Sequence, residues 1–120
     1  MSLTQDDPAQ ARKATAFIDN ELSPTEPGFI SLISLVEIAW VMESCYNQSK
    51  TEMLAIIHAL LTTKQLIVGN ADLAYLALKR CSASNGDFSD ALIVAIAESN
   101  GCNKIVTFDK KAKAVGMTLL

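Results

Sequence analysis

Glu37, the pair Asp87 and Asp90, and Asp109 stand where an apolar stretch of the chain hands over to a helix-like one. In a parallel α/β sheet such strand-to-helix junctions share one edge, which brings together acids far apart in sequence. Carboxylates crowded at one edge repel by several kcal/mol at a protein-like effective dielectric, and a divalent cation relieves that repulsion. An ion held this way activates water and neutralises charge on phosphoryl oxygens, the chemistry of phosphodiester hydrolysis. Each acid also has a purely structural reading. Ser34 and Glu37 have capping-box spacing, Asp87 and Asp90 fit an N-cap with an acidic third helical residue, and Asp109 fits a cap after Thr107 and Phe108. Both readings stay open for each acid taken singly, and the occurrence of three such junctions favours the chemical one.

The elements that must position these acids follow from periodicity. Asp7-Pro8 predicts a helix start with Ala14, Phe17, Ile18 and Leu22 on one face, ended by the loop Ser23-Pro24-Thr25-Glu26-Pro27-Gly28. Phe29 to Ile33 predicts a short buried strand, followed by a helix from about Ser34 carrying Val36, Ala39, Trp40 and Val41. Ser49 and Glu52 form a capping box for a helix whose Met53, Ile56, Ile57, Leu60 and Leu61 follow i, i+3, i+4, i+7, i+8 spacing. Leu66 to Gly69 predicts a strand, Asn70 caps a helix running to Asn85-Gly86, and Asp87 opens a helix from Phe88 to Ser99 closed by Asn100-Gly101. That last helix is apolar nearly all round and must be buried on more than one side. Lys104 to Phe108 predicts a strand, Asp109 begins a short basic helix, and Met117 to Leu120 forms a final strand. Strands alternating with helices imply an α/β fold with a mainly parallel sheet.

The segments Ile33-Ser34-Leu35-Val36-Glu37-Ile38-Ala39-Trp40, Gly86-Asp87-Phe88-Ser89-Asp90-Ala91-Leu92-Ile93-Val94-Ala95 and Ile105-Val106-Thr107-Phe108-Asp109-Lys110-Lys111-Ala112 resemble, in order and separation, the three later motifs of the PIN-domain nucleases. The likeness is strongest to the VapC-type toxin ribonucleases of toxin–antitoxin systems. The resemblance implies a three-layer fold with a mainly parallel sheet flanked by helices, and a Mg²⁺- or Mn²⁺-dependent endoribonuclease. By motif, Glu37, Asp90 and Asp109 are the implied catalytic and metal-ligating acids. Asp87 is a supporting or additional acid, and the Thr107 hydroxyl supports the cluster by hydrogen bonding. Lys110, Lys111 and Lys113 beside Asp109 could meet flanking phosphates or simply form a solvated face. The implied partners are RNA, a cognate antitoxin protein and a second copy of the chain.

One departure stands out. The resemblance implies a first acid at the end of a central first strand, typically an Asp opening an Asp-Thr/Ser-Asn-like motif, and nothing before Pro8 matches it. Asp6 and Asp7 follow no apolar strand. The expectation is therefore a PIN-like domain whose central first strand and first acid are missing, with activity and metal affinity reduced. A truncated sequence, a misassigned late start and a degenerate gene fit this pattern equally. The alternative function is a non-catalytic module that dimerises or binds an antitoxin-like peptide.

Bulk properties bound the rest. A length of 120 residues predicts one domain over residues 1–120. Half of the residues are hydrophobic, which predicts apolar surface buried in a homodimer. No apolar run approaches the roughly 18 residues of a membrane span, and the N-terminus lacks basic and apolar signal regions, so a cytoplasmic protein is expected. The odd number of cysteines, Cys45, Cys81 and Cys102, with no C-x-x-C spacing, predicts buried reduced thiols. A net charge of −3 argues against holding nucleic acid by bulk electrostatics. His58 reads as a structural or surface residue. Trp40 and Tyr46, with Met42 nearby, read equally well as core or as a partner surface.

Overall fold

The computed structural model describes residues 8–110, 113 and 117–120, and the side chains of 8–12, 14 and 15 are not among those described. It is a mixed α/β structure in two compact units, Met1–Ala71 and Asp72–Leu120. The first unit holds helix α1 (Pro8–Glu21), strand β1 (Gly28–Ile30), helix α2 (Leu32–Cys45), helix α3 (Lys50–Leu61) and strand β2 (Leu66–Val68). From the unit boundary run helix α4 (Ala71–Ser82), helix α5 (Phe88–Ser99), strand β3 (Val106–Thr107) and strand β4 (Thr118–Leu119).

In the first unit β1 and β2 pair in parallel, with Phe29 opposite Ile67. Parallel strands need a crossover, and the α2–α3 pair supplies it. Side chains alternate across this pleat. Val68 is buried on one face, whereas Phe29 and Ile67 lie on the other at 69% and 53% exposure. The core beneath is built by Leu35 and Ala39 of α2 and by Met53, Leu54, Ile56, Ile57 and Leu60 of α3. Helix α3 carries the complete capping box read from its sequence. The Ser49 hydroxyl accepts the Glu52 N–H at 3.1 Å, and the Glu52 carboxylate accepts the Ser49 N–H at 2.9 Å.

The start of α2 differs from expectation. The strand stops at Ile30 and Ser31 is the N-cap, its hydroxyl accepting the Ser34 N–H at 3.1 Å. Ser34 is thus inside the helix and does not cap it, which removes the capping-box reading of Ser34 and Glu37. Apolar residues such as Leu32 and Ile33 are equally at home in a short strand and in the first turn of a buried helix, so the local pattern did not separate the two.

In the second unit β3 pairs in parallel with β4, Val106 opposite Thr118 and Thr107 opposite Leu119. The strand is shorter than the expected Lys104 to Phe108, and Phe108 lies outside it at 83% exposure. Helix α5 spans its expected residues and buries Phe88, Asp90, Ala91, Leu92, Val94 and Ala95, while Ile93 remains exposed. Its end is a Schellman motif. Cys102 N–H donates to Ala97 O and Gly101 N–H to Glu98 O, both at 3.0 Å, with Gly101 at φ +73°.

Among the described residues each sheet is two-stranded. Only Cys81 is buried; Cys45 and Cys102 are exposed, which corrects the expectation that all three thiols are buried. No helix among the described residues is long and apolar enough to cross a membrane. The expected start of α1 at Asp7, Ala14 on its apolar face, and most of the basic helix after Asp109 fall outside the described residues.

Candidate functional site

Asp87 is the N-cap of α5, in extended conformation at φ −93° and ψ 173°. Its Oδ1 accepts two hydrogen bonds of 2.9 Å, from the Asp90 N–H and from the Ser89 hydroxyl. A carboxylate is well placed at this end of a helix, where unsatisfied N–H groups carry partial positive charge. The bond from Asp90 uses its backbone, so the cap orients the start of α5 without engaging the Asp90 carboxyl group.

Among the described carboxyl groups, that of Asp90 stands out by its burial. Asp90 is 6% exposed, and its Oδ2 atom is shut off from solvent. Burial of a carboxylate is costly, and such positions are where ion binding or protonation is to be sought.

Asp109 follows β3 and is exposed. Its N–H donates to the Thr107 hydroxyl at 3.0 Å, a side-chain-to-backbone turn across two residues. Asp90 and Asp109 thus share a device, each having its backbone N–H fixed by an oxygen two or three residues upstream. Lys110 and Lys113 are exposed beside Asp109, and Lys111 falls outside the described residues. Glu37 belongs to the first unit, where it is exposed in the second turn of α2, five residues beyond the helix start and not at the strand junction.

All of these candidate donors are carboxylate oxygens, which suit the hard ions Mg²⁺ and Mn²⁺ better than softer metals. Among the described residues no group of three or more His, Cys, Asp or Glu side chains is placed to hold a metal ion, so the donor assignment rests on chemistry and sequence position. When bound, a hard divalent ion supplies a Lewis acid and an activated water. The contribution visible in the protein itself is positional: Asp87 and Thr107 hold the backbones that carry Asp90 and Asp109.

The 120-residue chain matches the PIN domain family model over residues 1–117. The chain belongs to the PIN domain family. PIN domains are generally nucleases, hydrolases that act on RNA or DNA and typically use divalent metals. Neither the curated proteins nor the solved structures gave a match. The α/β composition and the short parallel strands agree with a PIN-like fold.

Other features of this PIN domain are separate from its acids. A groove of about 810 Å³ in the second unit is lined by Leu73, Leu76, Arg80, Ala95 and Glu98 among others, and none of the candidate acids borders it. Arg80 and Glu98 pair across it at 2.6 Å, but side chains 36% and 55% exposed make this a surface ion pair of small energetic weight. His58 is exposed on α3. Two supporting residues escaped the sequence reading. Ser89 could have been found from its place after an Asp at a helix start, and Ser31 from its place before the first apolar helical turn.

Proposed function

We propose that the chain is a metal-dependent endoribonuclease of the VapC-like toxin type, a single PIN-like domain over residues 1–120. Glu37, Asp90 and Asp109 serve as the catalytic and metal-ligating acids for Mg²⁺ or Mn²⁺. The observation that carries this reading is the family match over residues 1–117, a span that includes all three acids. The burial of Asp90 supports it, because an ion offsets the cost of a buried carboxylate. Asp87 and Thr107 act as supports, and Lys110 and Lys111 meet the phosphates flanking the scissile bond.

On this reading Glu37, Asp90 and Asp109 are the acids offered to the ion, and cleavage and metal affinity are weak. The protein works in the cytoplasm as a homodimer under the control of an antitoxin, whose Arg-bearing segment would compete with metal for the acids. The test is cleavage of RNA with Mn²⁺ by the purified chain and by its Glu37→Ala and Asp90→Ala variants. Metal-stimulated cleavage that both variants lose supports the reading, and cleavage that survives them overturns the site assignment. Pull-down with the product of the neighbouring small gene tests the antitoxin.

A second reading, a non-catalytic module that dimerises or binds a peptide, is favoured by the bare apolar pair Phe29 and Ile67 on the β1–β2 sheet. Parallel sheets are normally covered on both faces. A chain that associates in sedimentation and cleaves no RNA with any divalent ion would make this the better reading.

A further inference from the structure

We propose that Asn85 is a self-modification site, whose side-chain amide converts without an enzyme to aspartate and isoaspartate, while the fold shields the same dipeptide at Asn100-Gly101. The inference is independent of the ribonuclease reading and concerns the connection that leads into α5.

The chain holds two Asn-Gly dipeptides, Asn85-Gly86 and Asn100-Gly101. In this pairing the glycine backbone nitrogen can attack the asparagine Cγ, because glycine carries no Cβ beside that nitrogen and its backbone turns freely. A bond forms between the glycine N and Cγ, the side-chain nitrogen leaves as ammonia with the glycine N–H proton, and a succinimide ring remains. Water then opens the ring. Attack at the side-chain carbonyl yields aspartate. Attack at the main-chain carbonyl yields isoaspartate, in which the side-chain carbon has entered the backbone. No oxidant is needed, and water is the one co-reactant.

The two dipeptides are alike in sequence, and their surroundings separate them. At the end of α5 every reacting group is committed. Asn100 Nδ2 donates to Ile96 O at 2.8 Å, and the nucleophile, Gly101 N–H, donates to Glu98 O at 3.0 Å. The Asn100 N–H and the Cys102 N–H each donate to Ala97 O at 3.0 Å. Ring closure there requires the Schellman motif to come apart.

Asn85 lies in the connection between α4 and α5 and is exposed. Among the described residues no hydrogen bond holds its side chain. The Gly86 N–H donates to the Ser84 hydroxyl at 3.3 Å, beyond the usual range for this bond. Gly86 is itself buried, and its carbonyl accepts the Cys81 thiol at 3.5 Å. The reaction therefore proceeds through local opening of the connection, which costs least where few hydrogen bonds hold the backbone.

The position gives the conversion a consequence. Asp87, the N-cap whose Oδ1 fixes the Asp90 N–H at 2.9 Å, begins one residue after Gly86. Isoaspartate lengthens the main chain just before that cap and should loosen the start of α5, whereas aspartate adds only a negative charge.

The full-length chain is aged at mildly alkaline pH and physiological temperature, folded and in urea, and both dipeptides are followed by peptide mapping with mass spectrometry. Isoaspartate is scored by labelling with an isoaspartyl methyltransferase. In the folded chain Asn85 should be lost roughly tenfold or more faster than Asn100, and in urea the two should be lost at similar rates. Labelling should vanish in Asn85→Gln, whose longer side chain closes the ring far less readily. The aged chain should unfold at a lower temperature than Asn85→Asp, which carries the charge without the lengthened backbone. Equal loss at the two sites in the folded chain, faster loss of Asn100, or an Asn85 that stays intact when folded overturns the proposal. So does a preference for Asn85 that persists unchanged in urea, since the fold would then have no part in the selection. An aged chain as stable as Asn85→Asp overturns the link to the α5 cap.

Discussion

The Oδ1 atom of Asp87 accepts the backbone N–H of Asp90 at 2.9 Å, so the two acids at the start of α5 do different jobs. Asp87 caps the helix, and Asp90 is the carboxylate that the fold buries. Asp87→Ala should lower stability by about 1 kcal/mol through loss of the cap, and Asp87→Asn should retain most of it. Asp90→Asn, isosteric and uncharged, should keep the urea midpoint at or above that of the parent. On the proposed function it should reduce Mn²⁺-dependent cleavage on the order of 100-fold or more. Urea denaturation and the cleavage assay run on both variants measure the split, and a large stability loss in Asp90→Asn would show that its carboxylate is structural.

The capping box of α3 carries a pH dependence. The Glu52 carboxyl group is held below its ordinary value, chiefly by the hydrogen bond from the Ser49 backbone N–H and then by the Ser49 side chain. A carboxylate with a depressed folded-state pKa stabilises the fold above its unfolded value, and the contribution fades as pH falls through the lowered one. The N-terminus of α3 should therefore begin to loosen only below about pH 4.5, the ordinary glutamate value. Glu52→Gln should remove this pH dependence. An NMR titration placing Glu52 at or above its ordinary value would contradict the assignment.

Phe88 and Phe108 both stand next to candidate acids, yet they should respond oppositely to truncation. Phe88 is 1% exposed and Phe108 is 83% exposed. Phe88→Ala should cost about 3–5 kcal/mol, the range for emptying a core aromatic site, and Phe108→Ala no more than about 0.5 kcal/mol. Chemical denaturation of the two single variants provides the comparison.

Gly101 closes α5 at φ +73° with open space around the position a Cβ would take. Gly101→Ala should therefore destabilise through the backbone and not through a clash, by about 1–2 kcal/mol. Asn tolerates the left-handed region better, and Gly101→Asn should recover part of the loss in the same thermal unfolding measurement.

Local chemistry alone determined much of this protein. Ser49 with Glu52, Asp87 with Asp90, and Asn100 with Gly101 are contacts among neighbours in the chain, and three or four residues carry the whole signal for each helix end. The α/β alternation and the motifs around Glu37, Asp90 and Asp109 were legible for the same reason, as was membership of the PIN domain family. Tertiary packing decided what the local pattern left degenerate. Leu32 and Ile33 could extend a strand or open a helix, and the Ser31 cap with the burial of Leu35 and Ala39 one turn on placed them in α2. Trp40 faces solvent because Leu35 and Ala39 occupy the side of α2 that meets the core, a choice between two apolar faces that periodicity cannot make. Asp90 is buried and Asp109 exposed, though both are acids near the start of a helical turn, because α5 packs apolar residues around its first turn whereas β3 ends at Thr107. Burial depends on what distant parts of the chain bring alongside a residue, and a single sequence records that only indirectly.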